Sequence, residues 1–104
     1  MDFYHWNKLI HKVSDPDKAL KNTRKYLGKG AILFFSDIPK YKYKVFDTNL
    51  QKWIYFGSMQ YEDFTKHQDK DRQRNYLLRS GNIKGNWRNN KFSPNNLARE
   101  ILWR

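Results

Sequence analysis

The sequence predicts an α+β domain, a small three-stranded antiparallel meander packed with about three short helices. Three observations carry this. In the stretch 41–47 Tyr41, Tyr43 and Val45 alternate with Lys40, Lys42 and Lys44, and an apolar run lies on either side of it. Two Ser/Asp-Pro pairs, at residues 14–17 and 93–94, mark helix starts. Glycines at 28 and 81 fall where the helical patterns stop. At 104 residues there is room for one core, so residues 1–104 form a single domain.

Residues 1–13 mix Phe3, Tyr4, Trp6, Leu9 and Ile10 with polar residues in no clean period, and read as an N-terminal arm that packs against the domain, helical in part. Residues 14–29 form a helix. Ser14 and Asp15 offer capping oxygens, Pro16 suits the first helical position, and Asp17 is a first-turn acid. Leu20, Thr23, Tyr26 and Leu27 mark its buried side, while Lys18, Lys21, Lys25 and Lys29 form a row along another.

The meander occupies residues 31–57. Ala31–Ser36 (AILFFS) is continuously apolar and reads as a central or well-buried strand. In the second strand Tyr41, Tyr43 and Val45 face one way; Lys40, Lys42 and Lys44 face the other as a lysine row. Asp47-Thr48-Asn49-Leu50 supplies the turn into the third strand, Lys52–Gly57. Residues 58–104 are a helical half. One helix is capped by Asp69 or Asp71 and runs to about Ser80, with Gly81 as a left-handed terminator. A loop around Trp87 follows, then a last helix from Ser93-Pro94 with Leu97 and Ile101 on one face.

The chain has no cysteine, so disulfides and thiolate metal sites are excluded. No apolar stretch has signal-peptide or membrane-span length, which leads us to expect a soluble intracellular or particle-borne protein with no membrane span. The net charge of +11 points to an anionic partner, nucleic acid first. From Lys66 to Arg99 nine basic residues stand against two acidic ones, and Lys84, Arg88 and Lys91 lie in a Gly- and Asn-rich loop beside Trp87. Basic residues next to an aromatic suit phosphate contact with base stacking, although the indole itself is expected to fold back and close the core.

Little points to catalysis. His5 and His11 are six apart, which is no chelating interval on a helix or strand. His67 stands near Asp69 and Asp71, a set that a magnesium-dependent nuclease could use. The plainer reading is that both acids favour a helix N-terminus and that His67 is a loop residue or one hydrogen-bonded under the helix. No nucleophile motif, phosphate cradle or zinc pattern is present, so neither catalytic residue, cofactor nor metal is expected. On the helix, Arg72, Tyr76 and Arg79 share a face, Gln73, Leu77 and Ser80 the neighbouring one, with Tyr76, Leu77 and Leu78 as its buried contacts.

Five segments taken together, Lys25–Lys29 (KYLGK), Lys52–Gly57 (KWIYFG), Tyr61–His67 (YEDFTKH), Ser93–Leu97 (SPNNL) and Ile101–Trp103 (ILW), resemble a family of small basic proteins encoded by giant nucleocytoplasmic DNA viruses of protists and algae. The resemblance covers roughly residues 20 to 103. It implies a viral protein made in or near a cytoplasmic virus factory of the host and packaged in the virion, and it brings no catalytic residue.

The expected function is therefore a non-enzymatic basic module that binds DNA or RNA through phosphate contacts without sequence preference. Its candidate residues are Lys40, Lys42 and Lys44 on the sheet, Arg72, Arg74 and Arg79 on the helix, and Lys84, Arg88 and Lys91 in the loop. The alternative is a virion structural protein, a minor capsid or cement component that contacts other proteins. A metal-dependent nuclease ranks third.

Overall fold

The computed structural model describes residues 3–104, with side chains from residue 8 onward. The order of elements is α1 (Phe3–Val13), α2 (Pro16–Leu27), β1 (Phe34–Phe35), β2 (Tyr41–Asp47), β3 (Lys52–Ser58), α3 (Phe64–His67), α4 (Lys70–Gly81) and α5 (Pro94–Leu97). A π-helical turn, Ala98–Leu102, continues α5, and a 3-10 turn spans Trp87–Asn89. The fold is α+β: a three-stranded antiparallel sheet in the order β1-β2-β3, with helices before and after it. No helix among the described residues is long and apolar enough to cross a membrane.

The N-terminal segment is a helix rather than an arm. Ile10 is buried in the core, and the α1 C-terminus is held by a bond from the Asp63 N–H to the Val13 carbonyl. The side chains of Phe3, Tyr4 and Trp6, read from the sequence as part of a packing arm, and of His5, read as no chelating partner of His11, lie outside the described residues. The cap of α2 is Asp15, whose carboxylate accepts from the N–H groups of Asp17 and Lys18; the neighbouring Ser14 is turned inward and buried. Gly28 ends this helix at φ 114°.

The apolar run at 31–36 is not a central strand. Only Phe34 and Phe35 join the ladder, at the sheet edge, and Ile32 is exposed. The chain leaves the sheet at Ser36, whose hydroxyl bonds both the N–H and the carbonyl of Ile38. Strand β2 is central and carries the expected aromatic face: Tyr43 and Val45 enter the core with Phe56 of β3. Against them pack Ile10, Ala19, Phe64, Leu97, Ile101 and Leu102; at its Lys42 end the opposite face is covered too, by Leu102 over Gly57 and by Asp63 at the start of α3. Burying the ten core side chains, with nine more packed partly against them, is the main stabilising term in a chain this small.

Gly57 lets the sheet meet the C-terminal helix. It sits at φ 82°, and a Cβ there would lie 2.8 Å from Leu102 Cδ1 and 3.2 Å from Lys42 Cβ. Gly81, by contrast, is the last residue of α4 and not a left-handed terminator; Asn82 follows as the cap with a negative φ. What a Cβ at position 81 would meet is guanidinium, from Arg88 and Arg99.

Candidate nucleic-acid interface

Of the three sheet lysines, Lys42 is in a different environment from the one its alternation implied. It is 2% exposed and paired with Asp63, itself 1% exposed, at 3.0 Å. The ammonium also donates to the Tyr61 carbonyl at 2.7 Å. Asp63 is in turn the cap of α3: its second oxygen accepts from the Thr65 N–H at 3.0 Å and from the Thr65 hydroxyl. Thr65 Oγ1 accepts from the Asp15 N–H and touches Ser14 Oγ, which shares a 2.8 Å bond with the Tyr43 hydroxyl. One polar chain thus ties β2, α3 and the start of α2 together. Burial lowers the Lys42 pKa and outweighs the opposing pull of Asp63; burial likewise raises that of Tyr43.

Above this network lies a cleft of about 350 Å³ between α4 and the β3–α3 connection. Arg72, Asn75, Tyr76 and Arg79 supply one wall, as their three- and four-residue spacing requires. Tyr61, Glu62 and Ser58 supply the other, and Lys42, Leu102 and Trp103 line its base. Tyr76 stacks on Trp103 with centroids 4.1 Å apart and planes 6° from parallel. The Gln73 amide donates to the Trp103 carbonyl at 2.9 Å and pins the chain's C-terminal end to the same helix. The Arg72 side chain is exposed and its guanidinium makes no hydrogen bond or ion pair among the described residues; the Arg79 guanidinium is exposed too, 5.8 Å from the Tyr76 ring. A concave site with an aromatic base and unpaired cations at its mouth is the default binding site of a small domain.

The other predicted residues are dispersed. Lys40 is exposed, 5.1 Å from the Tyr41 ring centre. Lys44 is half-buried on the far side of the sheet, 3.3 Å from Asp37. Hence 40, 42 and 44 do not form an exposed row: one is buried, one is paired and one is free. Arg74 pairs with Asp71 at 3.0 Å on the open side of α4. Leu78 is exposed rather than a buried contact; Tyr76, Leu77 and Ser80 face inward instead. Lys84 and Lys91 are exposed in the loop.

Arg88 is exposed but engaged, donating to the Gly81 carbonyl at 2.9 Å and lying 4.4 Å from the Trp87 ring centre. Trp87 does fold back: it is half-buried, and its indole N–H donates to the Ile83 carbonyl at 2.7 Å. The sequence reading missed Arg99, which is 9% exposed and donates to the Leu77 carbonyl and the Ser80 hydroxyl. It also left the α2 lysines out of the interface. Lys18, Lys21 and Lys25 meet Arg104 along a shallow groove, and their regular spacing was the available signal.

His67 is the hydrogen-bonded residue of the plainer reading. Its Nδ1 accepts from the Asp69 N–H at 2.9 Å, and its ring lies 5.3 Å from Trp103. Asp69 caps α4 through the N–H groups of Asp71 and Arg72. Among the described residues no group of three or more His, Asp or Glu could hold a metal ion. Nε2 is buried without a partner. Burial, then the charge of Arg72, lowers the His67 pKa below its ordinary 6.5.

A lowered basic pKa means that, between the folded value and 6.5, the unfolded chain binds more protons. Stability therefore rises with pH through that window and falls as the solution is acidified below about 6.5. Denaturant titrations from neutral to mildly acid pH should show this loss, and His67→Gln should flatten the profile. An unchanged slope in the variant would assign the loss to other groups.

Residues 32–80 match the model of a family of unknown function, DUF5754. The matched segment runs from the start of the sheet through all but the last residue of α4. It holds Lys42, Arg72, Tyr76 and Arg79 of the cleft but not Leu102 or Trp103. No curated protein and no solved structure matches the chain.

Proposed function

We propose that the protein is a non-enzymatic basic module that binds nucleic acid mainly through phosphate contacts, with the α4 cleft as its anchor. The observation that carries this reading is the pair of unpaired guanidiniums, Arg72 and Arg79, one on each side of Tyr76 along the same helix face. A guanidinium binds phosphate with two parallel bonds, and these two, seven residues and so about two helical turns apart, can each take a phosphate of one strand. The exposed Lys40, Lys84 and Lys91 add peripheral contacts, while Lys42, Arg88 and the paired Arg74 serve the protein's own structure. The +11 charge supports binding without sequence preference, to DNA or RNA. The resemblance to giant-virus proteins supports a setting in the cytoplasmic virus factory and the particle. A second reading, a minor capsid or cement component, is favoured by the apolar residues on the uncovered side of the sheet.

Affinity for a generic duplex and for a single strand, measured across a salt series, tests the first reading. Five or more phosphate contacts give a slope of log affinity against log salt of about −4.5 or steeper on duplex, at about 0.9 per contact. Arg72→Ala with Arg79→Ala should make that slope shallower by about 1.8, two contacts' worth, with the far-ultraviolet spectrum unchanged. Weak binding at low salt, or an unaltered slope in the double variant, refutes the cleft as anchor. A neighbouring virion protein captured in fixed geometry, with no nucleic acid bound, would favour the second reading.

A further inference from the structure

An antiparallel sheet packed on one side ordinarily turns polar residues to solvent on the other. This sheet turns aromatic ones. Phe34, Phe46 and Trp53, one from each strand, are 39%, 36% and 39% exposed on the face opposite Tyr43 and Val45, beyond the end that Leu102 covers. They form one cluster: Phe34 and Phe46 each meet Trp53 edge-to-face, with centroids 5.0 and 5.2 Å away.

Register explains the grouping. Phe46 is the direct partner of Trp53, and Lys44, two residues earlier on the same face, is the direct partner of both Phe34 and Tyr55. A single cation therefore stands in the middle of four rings. Its ammonium lies 4.4 Å from the Trp53 ring centre and 5.8 Å from that of Tyr55. Asp37 steadies it, accepting from Lys44 at 3.3 Å and from the Tyr55 hydroxyl at 2.6 Å. Exposed rings in this number are a contact surface rather than incidental exposure.

The charge decides between occupants. A second copy would bring another +11 chain against this face. The occupant must offer flat apolar faces and negative charge together. A single strand with unstacked bases does so, and every base has a π-face that an aromatic side chain can accept. Sheet surfaces carrying aromatics recognise single strands in this manner.

We infer that the exposed part of this sheet face, around Trp53, is a stacking platform for unpaired bases of a single-stranded nucleic acid. The inference rests on the nucleic-acid reading above but uses a different surface, and it adds a preference for strands over duplex.

The test is anisotropy with a labelled oligothymidylate of about 12 nucleotides, a length within the usual site sizes, and with a duplex of equal length. The wild type is compared with Trp53→Ala, Phe46→Ala, Trp53→Phe and the Arg72/Arg79 double variant. Trp53→Ala should weaken single-strand binding about tenfold and leave duplex binding unchanged. Phe46→Ala should act in the same direction, and Trp53→Phe should retain most of the affinity. The arginine variant should weaken both ligands. Unchanged single-strand affinity in both alanine variants, with the salt slope intact, overturns this inference alone. No binding of either nucleic acid overturns it together with the reading it rests on. A dimer in sedimentation that Trp53→Ala dissolves and the oligonucleotide does not displace would make the face a protein interface and refute the platform.

Discussion

Lys42→Met should lower the free energy of unfolding by about 3–5 kcal/mol, the usual cost of removing one partner from a buried ion pair. Methionine replaces the stem of the lysine well, so the loss is electrostatic rather than a cavity. Asp63 would stay in place, 1% exposed, with its Oδ2 unpaired. The Tyr61 carbonyl would lose its donor as well. Asp63 cannot easily turn to water, because its other oxygen caps α3 through Thr65. Adding Asp63→Asn should recover part of the loss: the amide oxygen can still serve as the cap, and the buried charge is gone. Urea denaturation of the wild type, the single variant and the double variant decides it. A single variant within about 1 kcal/mol of wild type would mean that the pair is solvated in solution and that Lys42 is free to bind ligand.

Arg99→Met should cost about 2–4 kcal/mol, since hydrogen bonds to a buried charged group are worth more than neutral ones. Its guanidinium donates to the Leu77 carbonyl at 2.7 Å and to Ser80 Oγ at 2.6 Å, near the last turn of α4. It also lies 5.4 Å from the Trp87 ring centre. No carboxylate pairs with it among the described residues, and burial, with Arg88 and Arg104 nearby, lowers its pKa. What stabilises the cation is the negative end of the helix, whose terminal carbonyls it and Arg88 cover. Arg79 stands in that same turn, so loosening it should blur one wall of the cleft as well as reduce stability. Both bonds leave one nitrogen, Nη1, so Arg99→Lys should rescue part of the loss, short of wild type because the ammonium is borne on a shorter side chain and hydrates more strongly. Hydrogen exchange at the α4 C-terminus would report the local effect. Protection equal to wild type in Arg99→Met would sink this account.

Both buried cations were invisible to a reading along the chain, for a common reason. Lys42 belongs by alternation to the solvent side of its strand, and Arg99 sits in a helix between Ala98 and Glu100, beside a charge that marks no buried face. Their fates depend on residues far away in sequence: Asp63 for one, Leu77 and Ser80 for the other. The same holds for the apolar run at 31–36. An uninterrupted run can be a strand covered on both faces, or an edge whose outer face is aromatic, and only the position of the helices distinguishes the two.

Much else was legible because its chemistry is local. Asp15 with Pro16, Asp69, and Ser93 with Pro94 cap the helices they announce, each through N–H groups two or three residues on. The turn at Asp47 closes through bonds to the N–H groups of Asn49 and Leu50. Tyr43 and Val45 enter the core as their alternation required, and Arg72, Tyr76 and Arg79 share a face as helical spacing required. Backbone capping, turn chemistry and side-chain periodicity act within a few residues, so the sequence by itself determined the elements, their faces and the overall excess of positive charge. Which cations are spent inside the protein and which remain for a partner was decided only by the tertiary structure. A charge buries where a carboxylate or a helix end arrives to compensate its lost hydration, and that arrival is set by packing between distant segments.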